Sequence, residues 1–99
     1  MLNITKNIEG KKAVYALEGR LDTVTSPELE EDLKVSVEGI DDLVLDLSKL
    51  DYISSAGLRV FLSVFKIMSK QGEMKLINVN STVMEILDVT GFSDILKIE

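Results

Sequence analysis

Apolar and polar positions change rhythm several times along this chain, and each change predicts an element. Leu2, Ile4 and Ile8 partly alternate with polar residues, the pattern of a half-exposed strand. Glu9-Gly10-Lys11-Lys12 reads as a turn. The compact run Ala13-Val14-Tyr15-Ala16-Leu17 predicts a strand that stops at Glu18-Gly19. Leu43-Val44-Leu45-Asp46-Leu47 is nearly continuous, as in a strand covered on both faces. Met74, Leu76, Ile77 and Val79 follow Gln71-Gly72 as a further strand, and Ile95-Leu96-Lys97-Ile98 reads as a short last one.

Helical spacing fills the intervals. Ser26-Pro27 is a start signal, with serine at the N-cap and proline at the first helical position, where its missing N–H costs nothing. Leu29, Leu33 and Val37 recur at helical spacing before Gly39. A second helix covers residues 56 to 70. A third begins near Ser81, where Thr82 and Glu85 have the spacing of a capping box, and Gly91 marks its stop. Strands that alternate with helices after an opening pair predict an α/β fold. The sheet is mixed and mostly parallel, of about five strands with an antiparallel edge strand, and carries three or four helices. Residues 1–99 are expected to form one domain.

Placed on a wheel at about 100° per residue, the second helix shows two apolar stripes. Leu58, Phe61, Leu62 and Phe65 make the stripe expected to face the core. Ala56, Val60, Val64 and Ile67 fall on the opposite side, with Arg59, Ser63, Lys66 and Lys70 on one flank. Either a neighbouring element covers the second stripe, or it is exposed and docks onto a partner.

Adjacent serines stand just before that helix, in Asp51-Tyr52-Ile53-Ser54-Ser55-Ala56-Gly57-Leu58-Arg59. Serine is a favoured N-cap, so either Ser54 or Ser55 suits that role. A phosphate at the same place would meet backbone N–H groups that lack internal partners and the positive end of the helix dipole. A plain cap and a modifiable switch both fit the spacing.

Composition then removes whole classes of function. With no cysteine there is no disulfide, thiolate nucleophile or Cys-based metal site. With no histidine there is no His-dependent triad and no near-neutral imidazole base. The net charge of −6 and scattered basic residues argue against nucleic acid binding. No metal or other cofactor is expected. Asp22, Asp46 and Asp51 are the residues that could gather around a cation, but aspartates of this kind more often form turns. No segment has the apolar length of a signal peptide or a membrane span, so a soluble, cytoplasmic protein without membrane insertion is expected.

Three stretches together resemble the STAS domain, the fold of bacterial anti-sigma factor antagonists. Leu17-Glu18-Gly19-Arg20-Leu21-Asp22 is similar to the family's strand end. Leu43 to Leu47, leading into Asp51 to Leu58, is similar to its phosphorylation loop. Leu87-Asp88-Val89-Thr90-Gly91-Phe92 is similar to its closing helix. The resemblance implies a phosphoacceptor serine two residues before the glycine, here Ser55 before Gly57. The preceding position, often aspartate in the family, is Ser54, and the following one, often serine or threonine, is Ala56. It also implies a binding protein rather than an enzyme, and a monomer is expected. Unphosphorylated, it would bind an anti-sigma factor that is itself a serine kinase and so release a sigma factor. A serine phosphatase would reverse the mark. The expected partner surface comprises Asp22, Ser54, Ala56, Gly57, Arg59, Val60 and Val64, although Asp22 equally suits a turn cap. The resemblance also permits a STAS subunit of another assembly, such as a lipid-transport ATPase or a stress-sensing complex.

Overall fold

A computed structural model describes residues 1–99. The elements run β1 (Leu2–Glu9), β2 (Lys12–Leu21), α1 (Ser26–Ser36), β3 (Asp42–Ile53), α2 (Ser55–Met68), β4 (Glu73–Ile77), α3 (Ser81–Thr90) and β5 (Lys97–Ile98), with a 3-10 turn at Phe92–Asp94. The strands form one five-stranded sheet in chain order. β1 pairs antiparallel with β2 at the edge, and the remaining neighbours are parallel. Successive right-handed crossovers in one direction bring all the helices to the same face of a sheet. The burial agrees: Ala13, Tyr15, Leu17 and Leu21 of β2 are buried, while Lys12, Ala16, Glu18 and Arg20 on the other face are exposed.

The element order is as the pattern predicts, but two strands run further. β2 continues past Glu18-Gly19, with irregularities in its pairing to β3. Gly19 makes this possible with φ of +104°, a conformation that brings its backbone against the Met1 carbonyl. β3 continues through Ser48 to Ile53, well past the apolar run Leu43 to Leu47 that predicts it. These extensions set Leu21 and Ile53 side by side at the ends of β2 and β3. Conversely, the last strand is only Lys97–Ile98, because the N–H groups of Ile95 and Leu96 donate to the Phe92 carbonyl and close the 3-10 turn.

The caps also differ from expectation. Thr25, not Ser26, occupies the N-cap of α1. Ser26 is buried, and its hydroxyl donates to the Asp22 carbonyl. Asn80, not a Thr82 and Glu85 box, caps α3: its side chain accepts from the Val83 N–H at 2.9 Å and donates to the Leu50 carbonyl at 2.7 Å. One side chain thus starts the helix and ties it to β3.

The second stripe of α2 is core. Val60 is 4% exposed and Val64 is fully buried, both within the main apolar cluster. The expectation that Val60 and Val64 present an exposed docking face is therefore corrected. α1 packs beside α2 and covers that flank, burying Leu29, Leu33 and Val37 in the same cluster. The two apparent stripes are the flanks of one broad stripe, with Gly57, Phe61, Val64 and Met68 near its middle, all buried. Leu62, expected in the core, is half-buried.

A polar network fastens α1 to the sheet. The hydroxyl of buried Tyr15 donates to Asp32 Oδ1 at 2.5 Å and lies 2.6 Å from Ser36 Oγ. Lys6 Nζ donates to the same carboxylate at 2.9 Å. Burial pushes the phenol up beyond its ordinary range, and Asp32 reinforces the shift. Burial opposes the Asp32 charge, but hydrogen bonds from Tyr15 and Lys6 outweigh it and lower its pKa. A lowered carboxylate pKa adds stability above the ordinary value of 3.8, and that contribution is lost as pH falls through the folded value. Tyr15→Phe is expected to cost about 1–2 kcal/mol in urea unfolding near neutral pH. The difference from the wild type should narrow below about pH 4.

Candidate functional site

Parallel strands β2 and β3 end together, so the loops that follow them lie side by side at the carboxyl edge of the sheet. The Ser54 N–H donates to the Leu21 carbonyl at 2.8 Å and joins the two loops. Gly57 lets the first turn of α2 press onto this joint. A Cβ there would stand 2.7 Å from Leu21 Cγ and 2.9 Å from Ile53 Cγ1, closer than side chains pack. Leu21 and Ile53 are core residues, so a larger residue would have to push α2 off the strand ends.

The two serines have different roles. Ser54 is the N-cap, in an extended conformation, and its side chain accepts from the Gly57 N–H at 3.3 Å. Its carbonyl accepts from the Leu58 N–H at 3.0 Å. Ser55 is the first helical residue and is exposed, and no hydrogen bond within the chain holds its hydroxyl. By helix geometry, the N–H groups of Ser55 and Ala56 have no carbonyl one turn before them. The site therefore offers a free hydroxyl beside free backbone donors, while capping is already satisfied by its neighbour.

Asp22 shapes the other loop. Its Oδ1 accepts from the Val24 and Thr25 N–H groups, each at 3.0 Å. The Thr25 N–H bond above all, with the Val24 one, holds the carboxyl below the usual carboxylate range. The Asp22 turn in turn projects Val24, which is 82% exposed. Between the starts of α1 and α2 runs a shallow cleft lined by Thr23, Pro27, Glu30, Ala56, Arg59 and Val60.

Asp22, Ser54, Ser55, Ala56 and Arg59 are thus brought to one edge, as the sequence suggests. Gly57, Val60 and Val64 are buried beneath it, with Val60 forming the cleft floor. Sequence reasoning missed Val24, Pro27 and Glu30. A single apolar residue in a polar turn was the available signal for Val24. Asp46, within β3, accepts from the Ser48 N–H at 3.0 Å. Asp22, Asp46 and Asp51 form no cluster able to hold a metal ion. No helix is long and apolar enough to cross a membrane.

The fold recurs in solved structures. An anti-sigma factor antagonist from Mycobacterium paratuberculosis superposes with a TM-score of 0.89 at 20% identity, covering 99% of this chain and 85% of that one. The Bacillus cell fate determinant SpoIIAA in its phosphorylated form gives 0.76 at 14% identity, covering 98% and 91%. In sequence, the anti-sigma-B factor antagonist of Bacillus subtilis is 37% identical over 81 residues, 81% of this chain and 74% of that protein. Motif order and sheet topology agree with a match to the STAS domain family that runs from residue 2 to residue 99, and the chain belongs to that family.

Proposed function

We propose that this chain is an anti-sigma factor antagonist controlled at Ser55. Unphosphorylated, it binds an anti-sigma factor with serine kinase activity and so frees a sigma factor. That partner transfers a phosphoryl group from its nucleotide to Ser55 Oγ, and the hydroxyl proton is released. The phosphate ends binding until a serine phosphatase removes it. The chain contributes a surface and an acceptor, and catalysis belongs to its partners.

The observation that carries this reading is the division of labour between the serines. Ser54 caps α2, and the Ser55 hydroxyl is exposed and unengaged. The relatives named as anti-sigma factor antagonists support the choice of partner. Incubation with the purified anti-sigma kinase and ATP, followed by digestion and mass spectrometry, tests it. Phosphate is expected on Ser55. Phosphate on Ser54 instead, or no modification in a complex that forms, would refute it.

The contact surface is the edge formed by the Asp22 loop, Ser55, Ala56 and Arg59. Val24 is its most exposed apolar side chain. Truncating an apolar residue packed at the centre of an interface costs more than about 1 kcal/mol where it is a hot spot, a factor of five or more in affinity. Val24→Ser is therefore expected to weaken partner binding by about that factor in calorimetric titration. Its urea midpoint should be unchanged, because the side chain is in water in the free protein.

A further inference from the structure

We propose that Arg59 is a built-in counter-ion for a phosphate on Ser55. The inference rests on the reading of Ser55 as the modified residue and adds the group that receives the modification. Residues four apart on a helix are surface neighbours, their Cβ atoms about 5–6 Å apart. Ser55 and Arg59 have this spacing, within one α-helix, and both are exposed. The acidic residue precedes the basic one once Ser55 carries phosphate, which is the favourable order along a helix.

Arg59 is also uncommitted. The chain has two arginines, and Arg20 lies over the Tyr52 ring, 4.5 Å from its centroid. Arg59 makes no ion pair. Glu30, the acidic residue that shares its cleft, is 3.6 Å from Lys34 instead. Ala56, the neighbour of Ser55, lines that cleft together with Arg59. Guanidinium groups bind phosphate oxygens through two parallel N–H bonds, stronger than a neutral hydrogen bond. Phosphorylation then alters the partner-facing edge twice. It adds a dianion, and it draws the cleft's cation away from an incoming partner.

The test installs phosphoserine at position 55 during translation, so no kinase is required. The second phosphate pKa, about 6 for a free phosphoserine, is followed by phosphorus NMR. It should be lower by about 0.3 or more in the phosphorylated wild type than in phosphorylated Arg59→Gln, with the gap closing at high salt. Nearby Asp22 and Glu30 act equally in both proteins. Arg59→Lys should retain part of the shift. Lys66→Gln removes the same charge from the same helix roughly 10 Å further along, and should leave the pKa at the wild-type value. Equal pKa values in wild type and Arg59→Gln, or an equal change in Lys66→Gln, would overturn the pairing. Failure of the underlying switch looks different: the phosphorylated and unphosphorylated chains would bind the anti-sigma factor equally while the pKa difference persisted.

Discussion

Val64→Ser is expected to destabilise the fold by about 3–5 kcal/mol, as much as Phe61→Ala. Burying a valine side chain is worth about 1.5–3 kcal/mol. Placing an unpaired hydroxyl in the same space costs about 1–3 kcal/mol more. Phe61→Ala leaves a large cavity, usually at 3–5 kcal/mol. Both positions are fully buried in one apolar cluster, where α2 meets the sheet and α1. Typical domains have only about 5–15 kcal/mol in total, so either variant should move the urea midpoint far down. Comparison of the two unfolding curves checks the packing directly. If Val64→Ser kept nearly wild-type stability while Phe61→Ala did not, α1 would not cover that flank. A milder substitution, Val64→Ala, keeps the comparison readable should the serine variant fail to fold.

The same helix shows what the sequence can and cannot display. At about 100° per residue Val64 stands only about 60° from Phe61, so the two stripes adjoin on the wheel, which still does not say how wide an arc a neighbour covers. The arc is wide here because α2 touches both the sheet and α1. That neighbour follows from crossover handedness, which periodicity does not contain. The strands were legible where apolar residues ran together, as in Ala13 to Leu17 and Leu43 to Leu47. Their extensions were not, because Glu18 and Lys49 are held in the sheet by pairing with each other, and Glu18, Ser48, Lys49 and Asp51 all expose their side chains. Asn80 was missed as a cap because its value depends on reaching the Leu50 carbonyl, thirty residues away in the chain. At the site, the residues were legible and their division of labour was not. Either of two adjacent serines can cap a helix. The choice falls to Ser54 because the strand ends at Ile53 and the Leu21 carbonyl binds the next N–H. The kinase and the phosphatase came only from resemblance, since they lie outside the chain, and spacing offered the modification only as one of two readings of the serines.

That division of labour separates two substitutions that the sequence alone would treat alike. Ser54→Ala should cost about 1 kcal/mol of stability, the usual cost of losing a serine N-cap. It should leave Ser55 open to modification. Ser55→Ala should cost little, because the Ser55 hydroxyl has no partner and alanine is the best helix former. It should bind the anti-sigma factor like the wild type and escape inactivation. The largest effect belongs to phosphoserine at position 55. The phosphate adds about −1.5 to −2 charges to an edge that already carries Asp22 and Glu30, on a chain of net charge −6. Arg59 can offset only one unit of that charge, and a remaining charge desolvated at an interface costs several kcal/mol, so affinity should fall by about a hundredfold or more. Ser55→Asp, with about half to two-thirds of that charge, should fall between the two states. The measurement is a titration of each form against the purified anti-sigma factor at two salt concentrations. Loss of affinity on phosphorylation with an unchanged unfolding curve is the expected result. Equal affinity for the phosphorylated and unphosphorylated chains would remove Ser55 from the switch. A loss that came with a lower unfolding midpoint would mean that the phosphate acts by disturbing the α2 cap at Ser54.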